Sequence, residues 1–344
     1  MHEMRATATE VEIPAISTGR LGEAADVARR LATRLRAAIV GRNEEIDLII
    51  VALLADGHVL LEDYPGSGKT TLARALGSAV VGTKDSGAYS TFRRIQFTPD
   101  LLPSDITGSS VFQPESGELV FRPGPLFAHV VLADEINRTS PKVQAAMLEA
   151  MAEKQVTVDN HTYPLDPLFF VIATQNPRDV AGTYPLPVPQ LDRFLFKLSM
   201  QHIDKDAELT ILERYPITSL EQAAEVPGVS RDEVIAARNS LRQAVVISPA
   251  IREGLVALAR RLRADARVVQ GVSTRSLVLM LPALQARAVM SGRDYVSPGD
   301  VAWLTPHVFV HRLDCLPGVD NAATVIKESL EPVLEQLSRL SLER

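Results

Sequence analysis

Pro65, Gly66, Ser67, Gly68, Lys69, Thr70 and Thr71 follow one another in the chain, and these residue types at this spacing can hold a phosphate. Gly66 and Gly68 let backbone N–H groups curl around phosphate oxygens, and a helix opening directly behind them adds the positive end of its dipole. Lys69 is placed to reach β- and γ-phosphates, and Thr70 to offer its hydroxyl to Mg2+. The strict pattern has Gly at position 63, where this chain carries Asp63. Further along, the apolar run Val130-Val131-Leu132-Ala133 ends in Asp134-Glu135. Carboxylates at the C-terminal end of a parallel strand lie where open α/β folds bind ligands. Asp134 can hold Mg2+ through its water shell, and Glu135 can orient and deprotonate an attacking water. Another strand-like run, residues 169–173, leads into Thr174-Gln175-Asn176-Pro177, which puts Asn176 where it can bond a γ-phosphate or the water. Arg275 falls in the first turn of a helix, against the dipole's preference for anions, and suits a phosphate opposite.

These residues need elements to hold them. Val59-Leu60-Leu61 before the glycines and helix formers at 72–76 behind them make strand, loop, helix. Leu21, Val27, Leu31, Leu35 and Ile39 have the spacing of an amphipathic helix over 21–40, and a second helix covers 44–54. Gly41-Arg42 between them reads either as a helix C-cap or as part of a ligand pocket. A short strand is expected at 93–97. Val111-Phe112-Gln113 and Leu119-Val120-Phe121 form a β-hairpin around a Gly-containing turn, and a second hairpin spans 155–165 with Asp159-Asn160 as its turn. Ser140-Pro141 opens a helix with Ser at the N-cap, and Val143, Ala146, Met147, Ala150 and Met151 form its buried face. The last strand is expected at 194–200. From about 205 onward β patterns vanish and helices dominate, with a capping box at 230–233 and N-caps at Ser248 and Ser297. Buried faces are expected at Ile251, Leu255, Leu258 and Leu262, and at Val325, Leu330, Val333, Leu334 and Leu337. His311-Arg312 near the end reads as packing.

Composition sets the outer limits. A chain of 344 residues with 46% hydrophobic and 23% charged residues reads as a globular protein of two or three domains. Its net charge of -6 argues against holding nucleic acid through bulk charge. The single cysteine, Cys315, cannot form an internal disulfide. Without a leader pattern or a long unbroken apolar run, the expectation is a cytoplasmic protein with no membrane insertion.

Taken together, the Gly-Ser-Gly-Lys-Thr loop, Asp134-Glu135-Ile136-Asn137-Arg138, Ala173-Thr174-Gln175-Asn176-Pro177, Leu191-Asp192-Arg193-Phe194 and residues 271–276 closely resemble the MoxR-type AAA+ ATPases. The resemblance runs from about Leu31 to the C-terminus. It implies an α/β fold: a P-loop AAA+ αβα core with a parallel sheet and β-hairpin insertions, then a small α-helical lid. The expected division is a mobile leader at 1–20, the nucleotide-binding domain at 21–204 and the lid at 205–344. The hairpin at 107–121 looks like the helix-two insert shared with magnesium chelatases and replicative helicases. Thr274 stands where the family usually has Pro before the lid arginine.

The resemblance also implies roles: Lys69 and Thr70 as the Walker A pair, Asp134 and Glu135 as Walker B, Asn176 as first sensor and Arg275 as second. It places Gly41-Arg42 beside the adenine. Arg193 resembles an arginine finger presented to a neighbour's ATP, with Arg138 as the second candidate. ATP and Mg2+ are the implied cofactors, and a homo-hexameric ring the implied assembly. The implied task is remodelling or maturation of a separate protein partner, often one with a von Willebrand factor A-type domain. A nucleic-acid motor would carry basic hairpin tips, whereas Glu115, Glu118 and Asp159 are acidic, so nucleic acid is the weaker reading. A nucleotide-gated binding switch is the third, and the intact Glu135 and Asn176 oppose it.

Overall fold

Apolar residues alternate along the strand-like runs, and that alternation decides which face of the sheet each covers. The computed structural model describes residues 19–63, 68–81, 89–176, 182–214, 225–318 and 321–342. In chain order they form α1 (Arg20–Ala38), α2 (Asn43–Leu54), β1 (Val59–Asp63), α3 (Lys69–Ala79), β2 (Val80–Val81), β3 (Ser90–Gln96) and α4 (Pro103–Thr107). The hairpin β4 (Gly108–Gln113) and β5 (Glu118–Pro123) comes next, then β6 (Ala128–Asp134), α5 (Pro141–Glu153), the hairpin β7 (Gln155–Val158) and β8 (His161–Pro164), β9 (Phe170–Gln175), α6 (Val188–Leu191) and β10 (Phe196–Met200). The remainder holds α7 (Lys205–Arg214), β11 (Val229–Ser230), α8 (Arg231–Ala244), α9 (Pro249–Ala264), β12 (Val268–Gln270), α10 (Thr274–Met290), α11 (Pro298–Phe309), β13 (Asp314–Cys315) and α12 (Ala322–Leu342).

Five strands make one parallel sheet in the order β10-β1-β9-β6-β3. Leu61, Leu132 and Ile172 belong to a core shared with α1, α2, α3 and the helices after residue 230. Their neighbours Leu60, Val131 and Val171 belong to a second core under α4 and α5. A helix-and-sheet sandwich follows from that period-two division. The two hairpins stand outside the sheet, yet they are not separate: Phe121 of β5 stacks on Tyr163 of β8 with ring centroids 3.8 Å apart and planes 13° apart. Asp159 and Asn160 both take left-handed φ values, 50° and 64°, as a two-residue hairpin turn requires.

The caps expected at Ser230, Ser248 and Ser297 form, each side chain accepting from the amide three residues on. Ser140 differs: its carbonyl accepts from Val143 and Gln144, and its side chain makes no cap bond. Strands also persist beyond residue 205, contrary to the sequence expectation. β11 pairs parallel with β2, and β12 antiparallel with β13. Two- or three-residue strands are too short to leave a hydrophobic period. Gly41 does not cap α1, whose C-cap is Ile39; it lies beyond the helix end with φ 75°.

Four polar side chains anchor the sheet's N-terminal edge. Arg238 of α8 is buried and donates to the carbonyls of Leu53 and Pro167, both at 2.9 Å, while pairing with Asp56 at 2.6 Å. Lys154 meets the same Asp56 oxygen at 2.6 Å. Burial alone would raise the Asp56 pKa, but the two cations outweigh it and hold the carboxyl below its ordinary value. Beside them His58 is buried, with Nε2 facing the Met151 carbonyl at 3.2 Å and Nδ1 accepting from the Val171 amide at 3.1 Å. Desolvation pushes its pKa from 6.5 down to about 4.

A folded-state pKa below the unfolded one means that the unfolded chain takes up the proton first. His58 therefore contributes stability that is present above pH 6.5 and lost as pH falls toward about 4. The loss should amount to ~3 kcal/mol, because each pKa unit is worth ~1.4 kcal/mol. Thermal unfolding midpoints measured from pH 7 to pH 4.5 should fall, and His58→Gln, which keeps a donor and an acceptor but does not titrate, should fall less steeply. Equal slopes would remove His58 from the explanation.

Candidate active site

Parallel strands direct all their C-terminal ends to one edge, and Lys69, Thr70, Asp134, Glu135 and Asn176 collect there. Register aligns Gln96 with Asp134, Ala133 with Ala173, and Glu62 with Gln175, so β3, β6, β9 and β1 end side by side. Asp63 is the last residue of β1. Pro65, Gly66 and Ser67 lie outside the described residues. Gly68 is the N-cap of α3 at φ 91° and ψ 11°, and a Cβ built there would meet nothing within 4 Å. Lys69, Thr70 and Thr71 form the first turn of this 11-residue helix, where amide donors have no intrahelical acceptor. An open, donor-rich helix start fits an anion.

Asp134 is 8% exposed and has both oxygens engaged. Oδ1 accepts from Thr174 Oγ1 at 2.6 Å, and Oδ2 accepts from Arg94 Nη2 at 2.6 Å. Thr174 also accepts the Glu135 amide at 2.9 Å, so one buried hydroxyl fixes both acidic residues. A hard carboxylate already bonded in this way fits a cation met through water rather than directly. Glu135 itself has φ 58° and ψ 49°, an uncommon conformation for a non-glycine residue and one that clusters at functional sites. Its Oε2 accepts from Gln96 Nε2 at 3.0 Å and pairs with Arg138 Nε at 3.3 Å. Gln96 in turn accepts from Arg94 at 2.8 Å. Arg94, Gln96, Glu135 and Arg138 thus form one polar chain across the mouth of the sheet. Asn176 follows the last residue of β9 at the same edge.

Gly41 and Arg42 join this end of the sheet from the other side. A Cβ on Gly41 would come within 2.7 Å of Ala207 Cβ and 3.1 Å of Ile203 Cγ2, just beyond the C-terminal end of β10. Arg42 is buried, with Nη1 on Glu45 Oε1 at 3.0 Å.

Arg193 and Arg275 lie elsewhere, linked through their neighbours Asp192 and Ser276. Arg193 precedes β10, whose first residue is level with Val59, so it sits at the N-terminal edge of the sheet. The five residues of β1 span about 16 Å between the two edges. Arg193 Nη1 donates to the Leu148 carbonyl of α5 at 3.0 Å. Next to it Asp192 accepts from Ser276 Oγ at 3.3 Å, and Ser276 adjoins the exposed Arg275 in the first turn of α10. Arg138, by contrast, stands at this chain's own Glu135. His311 and Arg312 pack inside the molecule, as expected from sequence.

Three residues at the site were not singled out from sequence: Arg94, Gln96 and Thr174. Thr174 lies in a quoted strand-end motif, but its role depends on β9 lying next to β6. Arg94 and Gln96 alternate on one side of a strand, a pattern that gains meaning only once β3 is known to flank β6.

Comparison with known proteins yields concordant matches. The family described as "ATPase family associated with various cellular activities (AAA)" matches residues 58–196, and the AAA lid domain matches residues 260–332. YeaC of Bacillus subtilis (strain 168) is 43% identical over 309 residues, 88% of this chain and 92% of that protein. Chaperone MoxR1 of Mycobacterium tuberculosis is 36% identical over 332 residues, 92% of this chain and 84% of its own. A crystal structure of a Cytophaga hutchinsonii protein superposes with a TM-score of 0.80 at 31% identity, covering 91% of this chain and 96% of that one.

Proposed function

This chain belongs to the MoxR family of AAA ATPases and so binds and hydrolyses ATP, and from that premise we propose that it works as a ring, taken to be a homo-hexamer, that remodels or matures a separate protein. The observation that carries the proposal is the distance between two halves of one active site. Lys69, Thr70, Asp134, Glu135 and Asn176 gather at the C-terminal edge of the sheet, while Arg193 and Arg275 sit at the opposite edge. Arginines that far from their own phosphates are placed to meet a neighbour's instead.

Within one site, the loop from Pro65 to Gly68 and the α3 residues Lys69, Thr70 and Thr71 hold the phosphates. Gly41 and Arg42 border the base. Thr70 and, through water, Asp134 would hold Mg2+, which would supply positive charge to neutralise the phosphates. Glu135 accepts the proton of the attacking water, and Asn176 orients that water. Gln96 and Arg138 hold one carboxylate oxygen of Glu135, Oε2, which orients the group for that task. Arg193 and Arg275 from the adjoining subunit stabilise charge on the transferring phosphoryl group.

A protein partner suits the outer surface better than nucleic acid does. Phe112 and Leu119 on the first hairpin are 58% and 69% exposed, and they flank a turn carrying Glu115 and Glu118. Apolar side chains can dock on protein, and the carboxylates repel phosphate. The relative named a chaperone supports the same choice. A partner with a von Willebrand factor A-type domain is the one the family resemblance suggests.

The test is ATP hydrolysis per subunit against protein concentration, alongside sedimentation. Specific activity should rise by at least tenfold over the range in which the ring assembles. Constant activity down to the monomer would sink the proposal. Glu135→Gln loaded with ATP is the bait for the partner, and recovery of nucleic acid alone would favour a motor instead.

A further inference from the structure

Arg312 is a buried cation far from the phosphate-binding end of the sheet, and every contact it makes across the chain converges on one four-residue segment. Its side chain is 2% exposed. Nε donates to Asp192 Oδ1 at 2.6 Å, Nη2 to the carbonyls of Asp192 at 3.1 Å and Phe194 at 2.7 Å, and Nη1 to the carbonyl of Leu195 at 3.1 Å. His311 Nε2 lies 3.0 Å from the same Phe194 carbonyl and 2.8 Å from Arg312 Nη1. Burial first, and the Arg312 charge second, keep His311 neutral. The residue between these anchored carbonyls is Arg193.

Stability alone is a poor reason for such an arrangement. Burying a guanidinium is costly even when it is paired, and a packed apolar side chain of similar size often does as well or better. What the five-donor fork offers is geometry: a rigid planar group that fixes several acceptors at once. Here the acceptors lie on both sides of Arg193, and Asp192 extends the hold to Ser276, the neighbour of Arg275.

We propose that Asp192 and Arg312 are positioning residues for ATP hydrolysis, clamping residues 192–195 to the lid so that Arg193 and Arg275 are aimed at the neighbouring subunit as one unit. The proposal rests on the reading of Arg193 as a group acting in trans. It adds two residues that touch neither nucleotide nor water, and it makes the lid part of the finger's mounting.

The discriminating experiment is subunit mixing. Asp192→Ala should lower turnover about tenfold or more, as expected when a catalytic group is present but misaimed by about 1 Å. Affinity for a fluorescent ATP analogue should stay within twofold, since the phosphate loop is untouched. In assemblies mixed with Glu135→Gln subunits, which keep an intact Arg193, hydrolysis should recover, because the lesion lies in what a subunit gives its neighbour. Arg193→Ala is run in parallel. Should Asp192→Ala fail to fold, Arg312→Lys keeps the charge, loses the fork and should show the same recoverable deficit. Unchanged turnover, or a deficit not recovered where Arg193→Ala is recovered, overturns the clamp and leaves the finger standing. Full activity in Arg193→Ala, or its failure to recover in verified mixed rings, overturns the trans finger and the clamp with it.

Discussion

Glu135→Gln should bind ATP and hydrolyse it at least ~10²-fold more slowly than the parent protein, the range expected when a general base is lost. The substitution suits this site because it leaves its scaffold in place. The Glu135 amide keeps Thr174, and a glutamine carbonyl can still accept from Gln96. What disappears is the negative charge that faces Arg138 and can take a proton from water. Phosphate release under saturating ATP measures the rate, and a fluorescent nucleotide measures binding. Equal rates would show that Glu135 is not the base. Lost binding would instead mean that the left-handed turn at 135 carries the phosphate loop's geometry with it.

Arg193→Ala should have a larger effect, ~10³-fold or more, which is the scale set by arginine fingers in phosphoryl transfer. Its own ATP site should bind normally, since Arg193 lies at the far edge of the sheet. Rings mixed with Glu135→Gln subunits should regain activity, because each type supplies what the other lacks. Wild-type turnover from pure Arg193→Ala rings would eliminate Arg193 as the finger. Arg138 would then need testing, although the structure sets it at its own chain's Glu135.

Local patterns were legible wherever the physics is local. The strand-to-helix switch around Gly68, both hairpins, the turn at Asp159-Asn160 and the three serine caps depend on residues within a few positions of one another. The strand that ends in Asp134-Glu135 was equally plain, because all seven of its residues are buried. Side-chain partners across the sheet were not. Arg94 reaches Asp134 and Thr174 reaches both acidic residues only because β6 lies between β3 and β9, an order that no single strand encodes. The meeting of Asp192 with Ser276, 84 residues apart, is likewise a product of how the lid docks. Short strands such as β12 escaped notice because three residues cannot show a period.

The core that contains Leu61, Leu132 and Ile172 also contains Leu258, Leu284 and Val325 from the lid helices. One unbroken apolar body therefore joins the sheet, α1, α2 and the C-terminal helices. A chain ended after β10 would leave bare the flanks of α1 and α2 that those helices cover, and such a fragment would self-associate rather than stand as a free ATPase module. In the proposed ring, mechanical work would then have its natural joint at the seam between copies, where no shared core must be torn.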